Sequence, residues 1–368
     1  MDVAVLIGGC SPEHEISLAS SVQVLRHLDR RRWRIWPVLL GRHGGWRLPD
    51  RPLAADETWQ PPGVEDAIGS VRPGAAIDWL LETAGVDVVF PVLHGPCGED
   101  GTVQGMLELH DVAFVGSGCA ASATAMDKLR TRQAFAAGGV PIAPAYVPAL
   151  ARRQRVADEY RELAMAVGVP AFAKVDVSGS TVGVSKIERE ADLAAFLDGY
   201  GGRFRRWFAE RAVRGEELTV PVLGNSGSQL QALPPVGIYP VEDDWFTHDA
   251  KYRTGATEEI VPPRGLSAAQ VHEVQALAVR CHELLVCDGM SRTDMIYTDE
   301  GPVVLETNTI PGLTTNSLLP LAAEAAGLSF PDLLDRLLDL ALERHREARA
   351  PLPPLPRDAA EPASHAEA

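Results

Sequence analysis

Lysine is nearly absent from this chain. Of 34 basic residues in 368, only Lys128, Lys174, Lys186 and Lys251 are lysines; the rest are arginine. A protein that carries its surface charge on arginine keeps lysine where a compact, flexible point charge is wanted, as against phosphate. Codon bias is the plainer account of any one of the four. An excess of positive charge is also lacking. Fifty acidic residues give a formal net charge of -16, which argues against a nucleic-acid partner and against an anionic membrane surface. It leaves room for an anionic small ligand in a locally basic cleft. No apolar run approaches the roughly 20 residues that a spanning helix needs. Met1-Asp2-Val3-Ala4-Val5-Leu6-Ile7 runs straight into a strand with no basic segment or cleavage site, so no secretory signal is expected. The five cysteines, Cys10, Cys97, Cys119, Cys281 and Cys287, are odd in number and lack CxxC or metal-type spacing. A reduced, cytosolic chain follows.

A length of 368 residues suits two or three domains. Val3 to Gly9 reads as a buried strand, followed by a helix from about Leu18 to Leu28; Arg34 to Leu40 and Val86 to Leu93 are further apolar strands. Strand, helix, strand order predicts an α/β fold with a parallel sheet, whose ligands gather at the carboxyl ends of the strands, where Glu13 and His94 fall. Residues 41 to 72 read as a long insertion or loop. A helix over Thr102 to Leu109 precedes Gly116-Ser117-Gly118-Cys119-Ala120-Ala121, a superficial dinucleotide fingerprint that lacks the acidic residue about 20 positions on. A second unit opens near Ala123. It holds the strand Ala171 to Val175, the glycine-rich tip Ser178-Gly179-Ser180-Thr181-Val182-Gly183 and the strand Val184 to Ile187. Such a tip can lay backbone N-H groups and hydroxyls over phosphates, although no GK[ST] follows. Arg206 to Glu210 is another strand, and Leu218 to Leu223 opens a third unit. Within it a serine-capped helix spans Ser267 to Leu285, and a last helix runs from about Pro331 to Arg346. The end of the chain, 347–368, rich in proline, alanine and acid, is expected to be a disordered tail.

The most informative stretch is Met290 to Asn308, two β-type runs around Asp299-Glu300-Gly301. With those three residues as the loop, Thr298 faces Pro302, and counting back sets Asp294 opposite Glu306 and Arg292 opposite Asn308, all on one face. Two carboxylates directly opposed repel each other, so a cation belongs between them. Two answers stand level: a hard divalent ion on Asp294, Glu306 and Asn308, with Mg2+ bridging nucleotide phosphates as its commonest setting, or Arg292 bridging both acids as a structural ion pair.

Taken together, Gly8-Gly9-Cys10-Ser11-Pro12-Glu13-His14-Glu15-Ile16-Ser17, His94-Gly95 with Gly98-Glu99-Asp100-Gly101-Thr102, Met126-Asp127-Lys128-Leu129-Arg130, Gly179-Ser180-Thr181-Val182-Gly183, Ala250-Lys251-Tyr252, Arg292-x-Asp294, and Glu306-x-Asn308 with Pro311-Gly312 resemble the D-alanine:D-alanine ligases of the ATP-grasp fold. The seven motifs are collinear over residues 1 to 345. The resemblance implies three domains, a Rossmann-like 1–122, a central 123–213 and a metal-bearing 214–346, with ATP between the last two. It implies ADP-forming ligation of two D-alanines through an acyl phosphate, for peptidoglycan precursors. Lys128, Lys174 and Thr181 would hold ATP phosphates, the backbone of Glu210, Arg211 and Val213 the adenine, and Glu217 the ribose. Lys251 would lie between the terminal phosphate and the second substrate. Asp294, Glu306 and Asn308 would carry two Mg2+, with Mn2+ as a substitute, and Arg292 with the Gly312 N-H would stabilise the tetrahedral oxyanion. Glu13, linked through Ser180 to Tyr252, would receive the first D-alanine. His94 would belong to the first subsite, and Ser317 and Leu318 to the second. Family analogy further implies a homodimer. Tyr252 favours an amine nucleophile over D-lactate, and Leu318 disfavours D-serine. The chain departs from the family at Val175, Val177-Ser178 and Pro96-Cys97. Rival readings are a ligase for another D-amino acid or D-hydroxy acid pair, a catalytically silent nucleotide-binding protein, and an NAD-dependent oxidoreductase resting on Gly116-x-Gly118 alone.

Overall fold

The computed structural model describes residues 1–61, 70–149, 155–177, 183–200, 204, 206–240, 257–314 and 317–349. The first sheet contains β1 (Asp2–Gly8), β2 (Arg34–Leu40), β3 (Trp46–Arg47), β4 (Val88–Leu93) and β5 (Ala113–Phe114), in the order β3-β2-β1-β4-β5. β1 runs parallel to β2 and β4, and β4 to β5; only β3 is antiparallel. Every residue of β1 and β4 is buried. Both faces are covered, so these strands read as continuous apolar runs without alternation. The first helix is His14–His27, starting four residues earlier than the sequence pattern suggests. Part of the expected 41–72 loop is ordered: Trp46 and Val71 exchange backbone hydrogen bonds of 2.8 Å, and the Leu53 N-H donates to the Ile35 carbonyl at 2.9 Å.

The second sheet is antiparallel, built from β6 (Ala145–Tyr146), β7 (Ala171–Val175), β8 (Val184–Ile187) and β9 (Trp207–Arg211) in the order β6-β9-β7-β8. Helices Val156–Val167 and Glu190–Tyr200 pack Leu163, Val167, Leu193 and Phe196 onto Ala171, Ala173, Val175 and Ala209. The alternating burial of β7 is the mark of a one-sided sheet.

The third sheet holds β10 (Glu216–Leu223), β11 (Gln231–Ala232), β12 (Val236–Pro240), β13 (Thr257–Ile260), β14 (Met290–Thr298) and β15 (Gly301–Asn308). Its order is β13-β12-β10-β14-β15, with β11 on β10. Helix Ala268–Leu284 lies against it, started by a capping box in which Ser267 and Gln270 satisfy each other's backbone N-H. On this helix His282 is fully buried, with Nδ1 2.7 Å from Ser291 Oγ. Burial lowers its pKa from 6.5 to about 4. The unfolded chain therefore takes up a proton below pH 6.5 that the native state refuses until about pH 4. Its contribution is complete above that window and is lost as pH falls through it, up to about 3 kcal/mol. Urea unfolding at pH 7 and pH 4.5 should show His282→Gln losing less stability on acidification than the parent; equal losses would refute this.

The last helix, Phe330–Ala348, belongs to the first sheet's core despite its place at the other end of the chain. Leu333, Leu334, Leu337 and Leu338 share one buried cluster with Val3, Val5, Phe90 and Val92. Polar contacts fix its register. Trp33 Nε1 donates to Asp335 Oδ1 at 2.6 Å, Arg344 Nη2 donates to the Phe114 carbonyl at 3.0 Å, and the Arg344 guanidinium sits 4.3 Å from the Phe114 ring centroid. Among the described residues no helix is long and apolar enough to cross a membrane.

Candidate active site

The β14-β15 hairpin reaches its expected pairing by a different route. Thr298 pairs with Gly301 and Tyr297 with Pro302, so the loop is one residue shorter than Asp299-Glu300-Gly301. The register then shifts between Met295/Val304 and Asp294/Glu306. The extra residue, Leu305, is a β-bulge that returns what the shorter turn removed. Asp294 thus faces Glu306, and Arg292 faces Asn308.

Arg292 forks onto Asp294 alone, Nε to Oδ1 at 2.9 Å and Nη2 to Oδ2 at 2.8 Å, while Thr219 Oγ1 donates to Oδ1 at 2.5 Å. Glu306 meets a different cation, Lys128, with Nζ 3.2 Å from Oε2. Arg292 is therefore not a bridge hydrogen-bonded to both acids. It is 7% exposed. Burial opposes its charge, but the Asp294 carboxylate, and beyond it Glu306 and Glu99, hold its pKa above the usual arginine value. Asn308 Oδ1 accepts from the Ile310 N-H at 2.8 Å and turns the chain toward Pro311-Gly312. No group of three His, Cys, Asp or Glu able to hold a metal exists among the described residues. A cation on this face would draw its third protein oxygen from the Asn308 amide, and two carboxylates with an amide suit a hard divalent ion.

Lys128 is the first residue of helix Lys128–Ala137, whose N-cap Asp127 accepts from the Leu129 and Arg130 N-H groups. Arg206 joins Asp127 to Asp176 through bonds of 2.6 and 2.8 Å, and the Lys128 N-H donates to the Asp176 carbonyl at 2.9 Å. The strand that leads into the glycine-rich tip is thereby tied to the helix carrying Lys128. On the second sheet Phe172 pairs with Glu210, which sets Lys174 diagonally beside that acid, and the two form an ion pair. Arg132 Nη1 approaches the other oxygen of Glu210 at 2.8 Å. The N-H groups of Arg211 and Ala212 donate to the Pro144 and Pro170 carbonyls at 3.0 and 3.1 Å. Val213 lies in the connection from β9 to β10, and Glu217 is on β10 opposite Ile296. Ser180, Thr181, Lys251 and Tyr252 lie outside the described residues.

Glu13 is the N-cap of the first helix but makes no side-chain capping bond. Its carboxylate lies instead against Gly95, where an added Cβ would come within 2.6 Å of Oε2. Ser11 Oγ donates to the His94 carbonyl at 2.6 Å, which closes the two loops on each other. His94 is buried, with Nε2 3.3 Å from Ser20 Oγ and Nδ1 4.0 Å from Glu99 Oε1. At the other end of the site Gly312 has no room for a side chain, since a Cβ would meet Ser317 Oγ at 2.7 Å. Ser317 Oγ accepts from the Thr314 N-H at 3.1 Å, and Leu318 is 8% exposed within the core. The fingerprint at Gly116-x-Gly118 has a structural use: Glu108 Oε1 accepts the Cys119 N-H at 2.8 Å, so a carboxylate already fills the helix N-terminus that a pyrophosphate would need.

Three residues of the site receive no role from the sequence pattern. Glu99 is buried, accepts the Gly95 N-H at 2.6 Å and is felt by Arg292. It stands within the His94-Gly95 motif, in the glycine-rich loop at the end of β4, and its burial is what singles it out from that loop. Arg132 stands four residues after Lys128, on the same helix face. Glu259, whose pKa is raised by burial and opposed by the charge of Arg292, carries no local signal.

A parallel sheet followed by two antiparallel sheets, with a helix-borne lysine set on a carboxylate hairpin, defines the chain as an ATP-grasp protein. Models of the D-ala D-ala ligase N-terminus and C-terminus match residues 2–117 and 135–339. The D-alanine–D-alanine ligase of Syntrophobacter fumaroxidans is 39% identical over 344 residues, covering 93% of this chain and 98% of that one. That of Mycobacterium ulcerans is 37% identical, covering 93% and 95%. The solved structure of the Coxiella burnetii D-alanine-D-alanine ligase superposes with a TM-score of 0.75 at 28% identity and covers 95% of each chain. The chain belongs to the D-alanine–D-alanine ligase family.

Proposed function

We propose that this protein joins two D-alanines to D-alanyl-D-alanine with conversion of ATP to ADP and phosphate, in cell-wall synthesis. The observation that carries the reading is the hairpin itself: opposed Asp294 and Glu306, each met by its own cation, in a chain that matches the ligase family almost end to end. A carboxylate oxygen of the first D-alanine takes the terminal phosphoryl group of ATP. The amino nitrogen of the second then attacks the acyl carbon, and phosphate leaves as the tetrahedral oxyanion collapses.

Each step needs positive charge where negative charge develops. Lys128 and Lys174 exchange Glu306 and Glu210 for phosphate oxygens, with Thr181 beside them. The connection from Glu210 to Val213 receives the adenine, and Glu217 the ribose. Arg292 and the Gly312 N-H face the oxyanion. Glu13, with Ser180 and Tyr252, receives the ammonium of the first D-alanine beside His94, and Lys251, Ser317 and Leu318 border the second. Asp294, Glu306 and Asn308 are the ligands for Mg2+, which when bound neutralises phosphate charge and orients the transferred group. We assign the domains as 1–122, 123–213 and 214–346, with ATP between the second and third, in a cytoplasmic homodimer by analogy with the family. A coupled assay should show ADP release stimulated by D-alanine with Mg2+, and mass detection should find the dipeptide. Absence of stimulation across a panel of D-amino acids and D-lactate would overturn the assignment.

A further inference from the structure

Cys10 and Cys97 are 87 positions apart in sequence and meet in space. Cys10 follows the Gly8-Gly9 turn at the end of β1, where Gly9 takes φ +100, and three residues later the chain presents Glu13. Cys97 lies in the loop after β4, two residues beyond Gly95. The Cys10 thiol sits 3.9 Å from the carbonyl of Pro96, the residue before Cys97, so the two thiols belong to the same small patch of surface. Cys10 is exposed and Cys97 partly so, while Cys281 and Cys287 are buried. Cys97 is also one of the few non-glycine residues in the left-handed region, with φ 69, held there by its N-H donating to Asp100 Oδ2 at 2.8 Å. The fold therefore spends a strained conformation at this position, and the resulting loop holds the backbone beside Cys97 against the Cys10 thiol.

From this geometry we propose that Cys10 and Cys97 form a redox modification site: an oxidant of the peroxide class converts them to an intramolecular disulfide that reversibly inhibits the enzyme. Exposed Cys10 reacts first. Its thiolate sulfur attacks one peroxide oxygen, the O-O bond breaks, and a sulfenic acid and water form. The Cys97 sulfur then attacks the sulfenyl sulfur, the S-O bond breaks, and a second water carries away the hydroxyl and the Cys97 proton. Two sulfurs are each oxidised by one electron, and one peroxide is reduced to two waters. Interaction with Cys10, followed by burial, raises the Cys97 thiol well above the usual thiol range, so Cys97 is not the thiol that meets the oxidant first.

Inhibition follows from the lack of slack. A disulfide requires the two sulfurs to close to about 2 Å. The loops that would have to follow are those of Glu13 and Gly95, already so close that a single Cβ on Gly95 would fall 2.6 Å from Glu13 Oε2. Closing the bond shifts Glu13 or the His94 loop on the scale of an ångström, enough to cost about 100-fold in a reaction that depends on placement.

The experiment treats the whole protein with hydrogen peroxide and reads two signals. Intact mass should fall by the two hydrogens lost, with a proteolytic peptide linking Cys10 to Cys97. D-alanine-dependent ADP release should drop at least tenfold and return with dithiothreitol. Cys97→Ser and Cys10→Ser should each keep the untreated rate and resist inhibition. A linked peptide without loss of rate, equal sensitivity in Cys97→Ser, or oxidation that maps to Cys119 alone would each overturn the proposal. The mass signal does not depend on the substrate, so it separates this proposal from the functional assignment.

Discussion

Arg292→Ala is expected to lower D-alanine-dependent ADP release by about 100- to 1000-fold, the cost of removing an oxyanion donor, while ATP affinity changes by no more than about threefold. The guanidinium is 7% exposed and fixed by two bonds to Asp294, which is itself held by Thr219. Such a donor is oriented before the reaction begins, so its loss is felt in turnover far more than in binding. Arg292→Lys should recover little of the loss, because an ammonium cannot reproduce the planar fork. Steady-state kinetics beside nucleotide titration separates the two effects. A variant with near-normal turnover would remove Arg292 from the oxyanion role, and one that loses ATP affinity in parallel would place it with the nucleotide.

The second large effect concerns stability. Glu210 is 4% exposed and carries two cations, Lys174 and Arg132, whose side chains are 16% and 11% exposed. Glu210→Ala leaves those charges facing each other without their acid, and breaking a buried pair in this way costs about 3–5 kcal/mol. Chemical unfolding should register it, and Arg132→Leu combined with Glu210→Leu should restore part of the loss by replacing the pair with apolar contact. A single variant within about 1 kcal/mol of the parent would mean that Lys174 and Arg132 find other acids. Saturating ATP should also stabilise the Glu210 variant by at least as much as the parent, since phosphate supplies Lys174 with a new anion.

The hairpin shows how far the sequence can be read. Period-two alternation and the repulsion of opposed carboxylates were enough to place Asp294 against Glu306. The turn is one residue shorter than alternation predicts because Gly301 serves equally as a loop residue or as the first residue of β15, and the bulge that compensates at Leu305 has no signature among apolar neighbours. β1, β4 and β7 were legible as runs of apolar residues, and the cap at Ser267 as a local rule. β12 and β13 were not, because they are short, hold glycine, proline or acid, and gain order only from sheet neighbours. The same division holds in the site. Lys128 and Lys174 stand out by rarity, whereas Arg132 is one of many arginines until its partner Glu210, 78 positions later, is seen beside it. Arg292 was identified by pattern, but its choice of Asp294 alone depends on Lys128 arriving from another helix to take Glu306.

The shared core of β1, β4 and the helix Phe330–Ala348 has a consequence for the order in which the molecule is made. A ribosome delivers the first sheet with one apolar face only partly covered, by Val24, Leu25 and Leu28 of the first helix and the turn after it, since Leu333, Leu334, Leu337 and Leu338 complete the same cluster. At 5–20 residues per second, the interval between Phe114 and Phe330 lasts roughly 10–40 seconds. During that interval the second and third sheets emerge beside an unsealed surface. The polar contacts of Trp33 with Asp335 and of Phe114 with Arg344 then select which helix closes it.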